Sequence, residues 1–307
     1  MSPAGDAPHP PRRITPFERP HYADGARRFP LSDTETAALA RDALEEDQAF
    51  NDVTSIATVL STRHVRARLV AREAGVIAGV PLALAAFRAL DEQIEIRIDS
   101  EDGTIVEPGA TVLHLSGHAR GILAAERTAL NFMQHLSGIA SSTRKYVEAV
   151  RGTHAAILDT RKTTPGWRHL EKYAVRCGGG VNHRVDLASG VLIKDNHLAA
   201  VDGDVAVAVK RVRQHAEPGT PVQVECDAIA QVRAAIEAGA ESVLLDNMSL
   251  DQLRDAVAIA KGRAITEASG GVRLDTVRAI AETGVDRISV GALTHSAPAL
   301  NLALDFD

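Results

Sequence analysis

Three carboxylates, Glu225, Asp246 and Glu267, each follow a short apolar run, and each is separated from the next by 21 residues. Carboxylates placed this way can hold a divalent cation, accept hydrogen bonds from hydroxyls, or stabilise a developing carbocation. A second group is cationic although the chain carries a net charge of −6: Arg161, Lys162, Arg168, Lys172, His183, Arg184, Lys194 and His197. Only six lysines occur against 28 arginines, and three of the six fall between positions 162 and 194. Arginine offers a planar fork to a carboxylate and lysine a compact point charge, so this set suits a small polyanion. Glycine turns form the third group. Ser269, Gly270 and Gly271, then Gly291 and Ala292, follow apolar strands late in the chain, where backbone N–H groups can cradle phosphate. Carboxylates beside a phosphate site call for Mg²⁺ held by few protein ligands and many phosphate oxygens. No His or Cys cluster has the spacing of a zinc site.

Each group also has a plainer reading. The carboxylates could cap the helices or turns that follow them, and a cationic run is commonly a solvated face. What favours a site is the loop-forming sequence around the charges, Thr163, Thr164, Pro165 and Gly166 and then Gly178, Gly179 and Gly180, which gathers them near backbone. Lys194 follows the apolar run 191–193, so it reads as a surface lysine or as the Schiff-base lysine of an aldolase-like barrel.

The elements that must position these residues begin at Leu31, where Ser32 and Glu35 form a capping-box pattern ahead of an amphipathic helix. Residues 64–72 alternate apolar with arginine, and 94–98 and 111–115 read as similar strands, with turns at Asp102–Gly103 and Pro108–Gly109 between them. A helix starts after Gly121, with its end expected near Gly138. From residue 155 short apolar strands at 155–158, 191–193, 222–224, 242–245, 264–266 and 287–290 alternate with amphipathic helices such as 228–237 and 250–260. That alternation is the pattern of a parallel α/β barrel, whose strand C-termini meet at one mouth, so all three carboxylates are expected to ring it.

Composition narrows the function further. The chain has 307 residues, 45% hydrophobic and 24% charged, as in water-soluble globular proteins. Its acidic balance argues against nucleic acid as a partner. The longest apolar run, 75–87, is too short to cross a bilayer and contains Pro81, so no membrane span is expected. No secretory signal is visible, and Cys177 and Cys226 lie 49 residues apart with no Cys-x-x-Cys pair, which fits a reducing, cytoplasmic setting. Cys226 reads as a small core residue. Seven of the 13 prolines lie in residues 1–30, which read as a disordered leader.

At these residues the chain resembles the quinolinate phosphoribosyltransferases, or carboxylating nicotinate-nucleotide pyrophosphorylases, of the type II phosphoribosyltransferase family. The matching stretches are 126–131 (ERTALN), 159–166 (DTRKTTPG), 178–184 (GGGVNHR), 193–197 (IKDNH), 245–247 (LDN), 267–271 (EASGG) and 289–295 (SVGALTH), in the family's order across 31–307. The resemblance implies an α/β protein with an N-terminal α/β sandwich domain plus an incomplete (open) parallel α/β barrel. Its expected divisions are 31–127 for the sandwich, 128–295 for the barrel, and a tail, 296–307, packed back on the first domain. It implies phosphoribosyl transfer from phosphoribosyl pyrophosphate to the ring nitrogen of quinolinate with loss of CO₂, giving nicotinate mononucleotide and pyrophosphate, a step of de novo NAD biosynthesis. It further implies a homodimer with shared sites, or a higher homo-oligomer built from it, in which Arg127 reaches the partner's site. Arg161, His183, Arg184 and Lys194 would grip the two carboxylates of quinolinate. Lys162, Ser269, Gly270, Gly291 and His295 would lie near the phosphates, with Lys162 also acting catalytically. Glu225 and Asp246 would serve Mg²⁺ and the ribose. The rival readings are a related transferase acting on another pyridine or ring carboxylic acid, and a non-catalytic barrel that binds a phosphorylated metabolite.

Overall fold

The structure, a computed structural model, describes residues 28–217 and 219–307. The proline-rich leader therefore falls outside the described residues except for 28–30. Of these, Phe29 packs edge-on against Tyr173 with 5.3 Å between ring centroids, so packed chain is present before Leu31.

Ser32 caps α1 (Asp33–Glu46): its hydroxyl accepts from the Glu35 N–H, and the Glu35 carboxylate accepts from the Ser32 N–H at 2.8 Å. Asp52 caps the short α2 (Val53–Thr58). Next, β1 (His64–Ala71) turns Ala67, Leu69 and Ala71 inward while Arg66 stays exposed. The chain continues through β2 (Gly75–Val76), α3 (Val80–Leu90), β3 (Glu95–Ile98), β4 (Ile105–Val106) and β5 (Thr111–His118). Leu82, Ala83, Ala86 and Phe87 of α3 are fully or almost fully buried, and this helix with Ile122, Ala129 and Met133 of the next covers the inner face of the sheet.

The connecting helix α4 (Ala119–Ala149) is 31 residues long and does not end at Gly138. Gly138 serves a crossing instead of a cap. A Cβ there would fall 2.1 Å from the Pro298 carbonyl oxygen and 3.0 Å from Ala299 Cα, so only glycine lets that backbone lie against the helix. Glycine's weak helix propensity is overridden by this packing and by the buried residues flanking it on α4.

The second half is the alternation read from the sequence: β6 (Ala156–Leu158), α5 (Arg168–Cys177), β7 (Val191–Ile193), α6 (Asp195–Ala199), α7 (Val205–His215), β8 (Val222–Cys226), α8 (Ile229–Glu237), β9 (Ser242–Asp246), α9 (Leu250–Ala260), β10 (Ile265–Ser269), α10 (Val277–Ala281), β11 (Arg287–Ser289) and α11 (Ala292–His295). These six strands form one parallel sheet in the order β6-β11-β10-β9-β8-β7. The strands that come first and second in the chain are thus its two edges, and the barrel is open between them. On the helix-facing side Val224, Val243, Leu245, Ala268 and Ile288 pack with Val232, Ala235, Leu253 and Ala256, all at most 2% exposed.

A last strand, β12 (Leu302–Phe306), leaves the barrel and pairs antiparallel with β1, giving the first sheet the order β12-β1-β5-β3. The two halves also meet through a buried polar contact: Tyr173 of α5 donates to Asp102 at 2.7 Å, and the Val80 N–H donates to the same carboxylate at 3.0 Å. Among the described residues no helix is long and apolar enough to cross a membrane.

Candidate active site

The connection 159–190 between β6 and β7 spans the open seam and carries most of the cations. Val181 attaches it to the sheet by a single bridge to β6: the Val181 N–H donates to the Ile157 carbonyl at 2.8 Å, and the Asp159 N–H donates to the Val181 carbonyl at 3.2 Å. Residues 182–184 are thereby held beside the C-terminal end of β6.

A buried ion pair fixes them. Asp159, fully buried, accepts from the Lys172 ammonium, from the His183 N–H at 2.8 Å and from the Asn182 side chain at 2.6 Å. Lys172 also donates to the His183 carbonyl at 3.0 Å. Burial pushes the Lys172 ammonium below and the Asp159 carboxyl above their ordinary ranges, and the attraction between them opposes both shifts. Lys172 therefore does not belong with the ligand-facing cations, as the charge run had suggested. It lies under them, 2% exposed, with its charge already partnered.

Arg161 and Arg184 differ from it. The Nε of each is buried with no hydrogen-bond partner among the described residues. Arg184 does donate through Nη1 to the Gly190 carbonyl at 2.8 Å. Burial, and after it repulsion from Arg161, lowers the Arg184 guanidinium below its usual range. Two neighbouring half-buried arginines, each with a buried orphaned Nε and neither in an ion pair with a carboxylate among the described residues, are set for an anion from outside the chain. Arg168 is occupied, bonding the Thr163 hydroxyl at 3.0 Å and the Val185 carbonyl at 3.2 Å.

Across the opening, Lys194 follows β7 and places its Nζ 3.5 Å from Glu225 on β8. His197 accepts from the Lys194 N–H at 2.9 Å, bracing the turn. Burial raises the Glu225 carboxyl above its usual range; Lys194 opposes the shift and nearby Asp246 adds to it. Strand register separates the three equally spaced carboxylates. Glu225 and Glu267 are level with Leu244, whereas Asp246 is level with Ser269, two residues nearer the mouth. Glu225, near the open edge, keeps 17% of its side chain exposed, and Glu267 in mid-sheet keeps none. The expected ring of three is thus a pair, Glu225 and Asp246. Glu267 is enclosed because β10 lies in mid-sheet between β11 and β9, and it is Ser269 of that strand, not Glu267, that is level with Asp246.

The phosphate-type turns lie beyond. Asn247 adopts a left-handed conformation (φ 53°), donates to Asp246 at 2.7 Å, and its N–H bonds the Ser269 carbonyl at 2.9 Å. Gly270 (φ +91°) is pressed against it: a Cβ there would fall 2.2 Å from Asn247 Oδ1 and 2.9 Å from its N. Gly270→Ala is therefore expected to cost about 2 kcal/mol in stability from strain and clash. It should also lower turnover by displacing Asp246 and Ser269. Thermal melts and steady-state kinetics check this, and wild-type values in both would refute it. A Cβ on Gly291 would be 3.2 Å from both Lys162 Cδ and His295 Nε2, so these three converge, and the Thr294 hydroxyl ties the Lys162 carbonyl at 2.7 Å.

Arg127 is not brought to these groups within one chain. It stands exposed on α4 and makes no hydrogen bond or ion pair among the described residues. Cys226 is fully buried, and burial first, then Asp227 and Glu225, push its thiol up to about 12, so it is a core residue and no nucleophile. Among the described residues no group of three or more His, Cys, Asp or Glu side chains could cage a metal. Glu225 and Asp246 repel one another and offer two ligands, which fits a Mg²⁺ ion that draws the rest of its shell from substrate oxygens. Sequence reasoning gave Asp159 and Gln223 no role. Burial, the property that makes them matter, has no local signature in the chain.

Known proteins resemble the chain over most of its length. A family model described as quinolinate phosphoribosyl transferase, C-terminal domain, matches residues 139–305, and its N-terminal counterpart matches residues 52–137. The chain is 47% identical to the nicotinate-nucleotide pyrophosphorylase (carboxylating) of Mycobacterium leprae, over 90% of this chain and 99% of that one. It is 41% identical to a probable nicotinate-nucleotide pyrophosphorylase (carboxylating) of Bacillus subtilis, over 85% and 89% of the two chains. The solved nicotinate-nucleotide pyrophosphorylase of Francisella tularensis superposes with a TM-score of 0.85 at 38% identity, covering 90% of this chain and 98% of that one.

Proposed function

The chain belongs to the quinolinate phosphoribosyltransferase family, and from that premise we propose that it forms nicotinate mononucleotide, pyrophosphate and CO₂ from quinolinate and phosphoribosyl pyrophosphate, in de novo NAD biosynthesis. The observation that carries this reading is the pair of orphaned guanidinium donors, Arg161 and Arg184, with His183 next to Arg184 in the chain and Lys194 across the opening. A ligand with two adjacent carboxylates matches four cationic or donor groups better than a ring acid with one.

In this reading Arg161, His183, Arg184 and Lys194 grip quinolinate so that its ring nitrogen faces the anomeric carbon of the second substrate. Lys162, Ser269, Gly270, Gly291 and His295 bind phosphate groups, and Lys162 neutralises charge on the leaving pyrophosphate. The nitrogen lone pair forms the new C–N bond as the C–O bond to pyrophosphate breaks, through a centre with oxocarbenium character that Glu225 and Asp246 stabilise. The carboxylate next to the quaternised nitrogen then leaves as CO₂. Its bonding pair stays on the ring carbon, stabilised by the positive nitrogen, and that carbon takes up a proton. Mg²⁺ arriving with the phosphoribosyl substrate, held by Glu225 and Asp246, would supply further charge neutralisation on pyrophosphate. No protein nucleophile takes part, so Lys194 acts as a cation and forms no Schiff base.

The test is release of labelled CO₂ and of pyrophosphate from carboxyl-labelled quinolinate, with and without Mg²⁺, against a nicotinate control. Equal release of both, dependent on Mg²⁺ and absent with nicotinate, is expected. Turnover of nicotinate instead would favour the one-carboxylate reading, and binding without turnover a metabolite-binding barrel.

The exposed, unpartnered Arg127 fits a homodimer with shared sites, in which it completes the partner's pocket. Arg127→Ala and Lys194→Ala are each expected to be inactive yet folded. Mixing them should restore activity through hybrid dimers holding one intact site, up to about a quarter of wild type by random exchange; no recovery after verified subunit exchange would refute the shared site. Two buried cysteines outside any disulfide, Cys177 and Cys226, suit a reducing cytoplasm.

A further inference from the structure

Below the mouth, the barrel interior holds a polar layer where such barrels are ordinarily filled by branched apolar side chains. Glu267 on β10 is fully buried. It accepts from the Ser289 hydroxyl on β11 and, at 3.0 Å, from the side-chain amide of Gln223 on β8. Because a carboxylate only accepts, the Gln223 NH₂ must face Glu267, where it also reaches the Ser242 hydroxyl at 3.2 Å. The Gln223 carbonyl oxygen is thereby turned the other way, and it lies 3.3 Å from Nε2 of His183. Glu267 itself is 3.5 Å from the same nitrogen.

A ring nitrogen facing two oxygens must carry a proton, so Nε2 of His183 is a donor into the barrel. Its Nδ1 has no partner among the described residues. The backbone of His183 is held as firmly as the ring, its N–H by Asp159 and its carbonyl by Lys172.

We propose that Glu267 is a positioning residue that acts through His183 on a carboxylate of the substrate. Glu267 orients Gln223, and the two together dictate which ring nitrogen points inward. Nδ1 is left toward the ligand, and a ligand carboxylate there requires a proton on it. The buried carboxylate on the far side of the ring sustains the positive charge that results. The cations assigned to quinolinate in this chain thus have an internal counter-charge behind His183, on a residue that in this reading touches no substrate. This rests on the reading of His183 as a quinolinate contact.

A double-mutant cycle tests it, using Glu267→Gln, His183→Ala and both together, with direct binding of quinolinate and steady-state kinetics in both substrates. Glu267→Gln alone is expected to raise the quinolinate Kd and KM about tenfold while leaving the KM for phosphoribosyl pyrophosphate within about twofold. In the His183→Ala background the same change should cost less than about twofold, because its route to the ligand is already gone. A full repeat of the tenfold loss in that background, or an equal rise in both KM values, would overturn the coupling and make Glu267 a merely structural group. Should Glu267→Gln fail to fold, Gln223→Leu enters the same cycle with the same expectation. Wild-type protein that binds no quinolinate would bring down the functional reading itself, and this inference with it. Wild-type binding with additive losses would bring down the inference alone.

Discussion

Arg161→Ala is expected to lower kcat/KM for quinolinate by about 10²- to 10³-fold, because one side of a desolvated charge pair in the complex is lost. The same substitution should leave the free protein no less stable. In the unliganded chain Arg161 makes no bond through its Nε and raises the cost of keeping Arg184 charged. Removing it relieves that repulsion, and Tm is expected to hold or to rise by about 1–2 °C. A site that opposes folding until its ligand arrives is the usual signature of function held at some expense to stability. Arg161→Lys should recover only part of the activity, since an ammonium restores the charge without the planar fork. Kinetics and melting curves on the three proteins check this together. Wild-type quinolinate kinetics in Arg161→Ala, or a fall in Tm with both substrates equally affected, would remove Arg161 from the carboxylate site.

Lys172→Met is expected to do the reverse, harming the fold first. It leaves Asp159 buried without its cation, at a cost of about 3–5 kcal/mol. It also frees the His183 carbonyl, so activity falls with stability. Asp159→Asn combined with Lys172→Met should recover most of the lost stability, because no bare charge then remains buried. The loss should depend on pH. Burial already holds the Asp159 carboxyl above its ordinary range with Lys172 in place, and without Lys172 it rises further. A carboxyl whose folded-state pKa is raised binds more protons folded than unfolded, so stability falls as pH climbs through that window. The deficit in chemical denaturation should therefore be larger near about pH 8 than near about pH 5. A deficit independent of pH would show that Asp159 is not the group left exposed to the loss.

Much of the fold was legible because it is written locally. The Ser32 and Glu35 capping box, the arginine alternation in β1 and the strand–helix alternation after residue 155 each depend on neighbours within a few positions. What misled depended on distance. Gly138 looks like a helix end until residues 298 and 299, more than 150 positions away, are seen lying against it. Lys172 has the type and setting of a ligand-binding lysine, and only the burial of Asp159 beside it shows otherwise. Glu267 keeps the 21-residue spacing and the register level of Glu225, but it lies in mid-sheet between β9 and β11 and is fully buried, whereas Glu225 lies next to the edge strand; strand order, which spacing does not reveal, decides which of them is exposed. Asn247 was legible only as part of a motif; its contact with Gly270 requires two neighbouring strands in register.

The pairing of β12 with β1 has a consequence for biosynthesis. Arg68 bonds Asp307, and Arg72 bonds Asp305, across 239 and 233 positions of sequence. A ribosome therefore releases β1 early and its neighbour only after every barrel strand has emerged. Until then one ladder of β1 is unpaired, a template for another nascent chain. The first domain made is the last to be finished, and a truncation that removes β12 should show itself as aggregation during synthesis before it shows as lost catalysis.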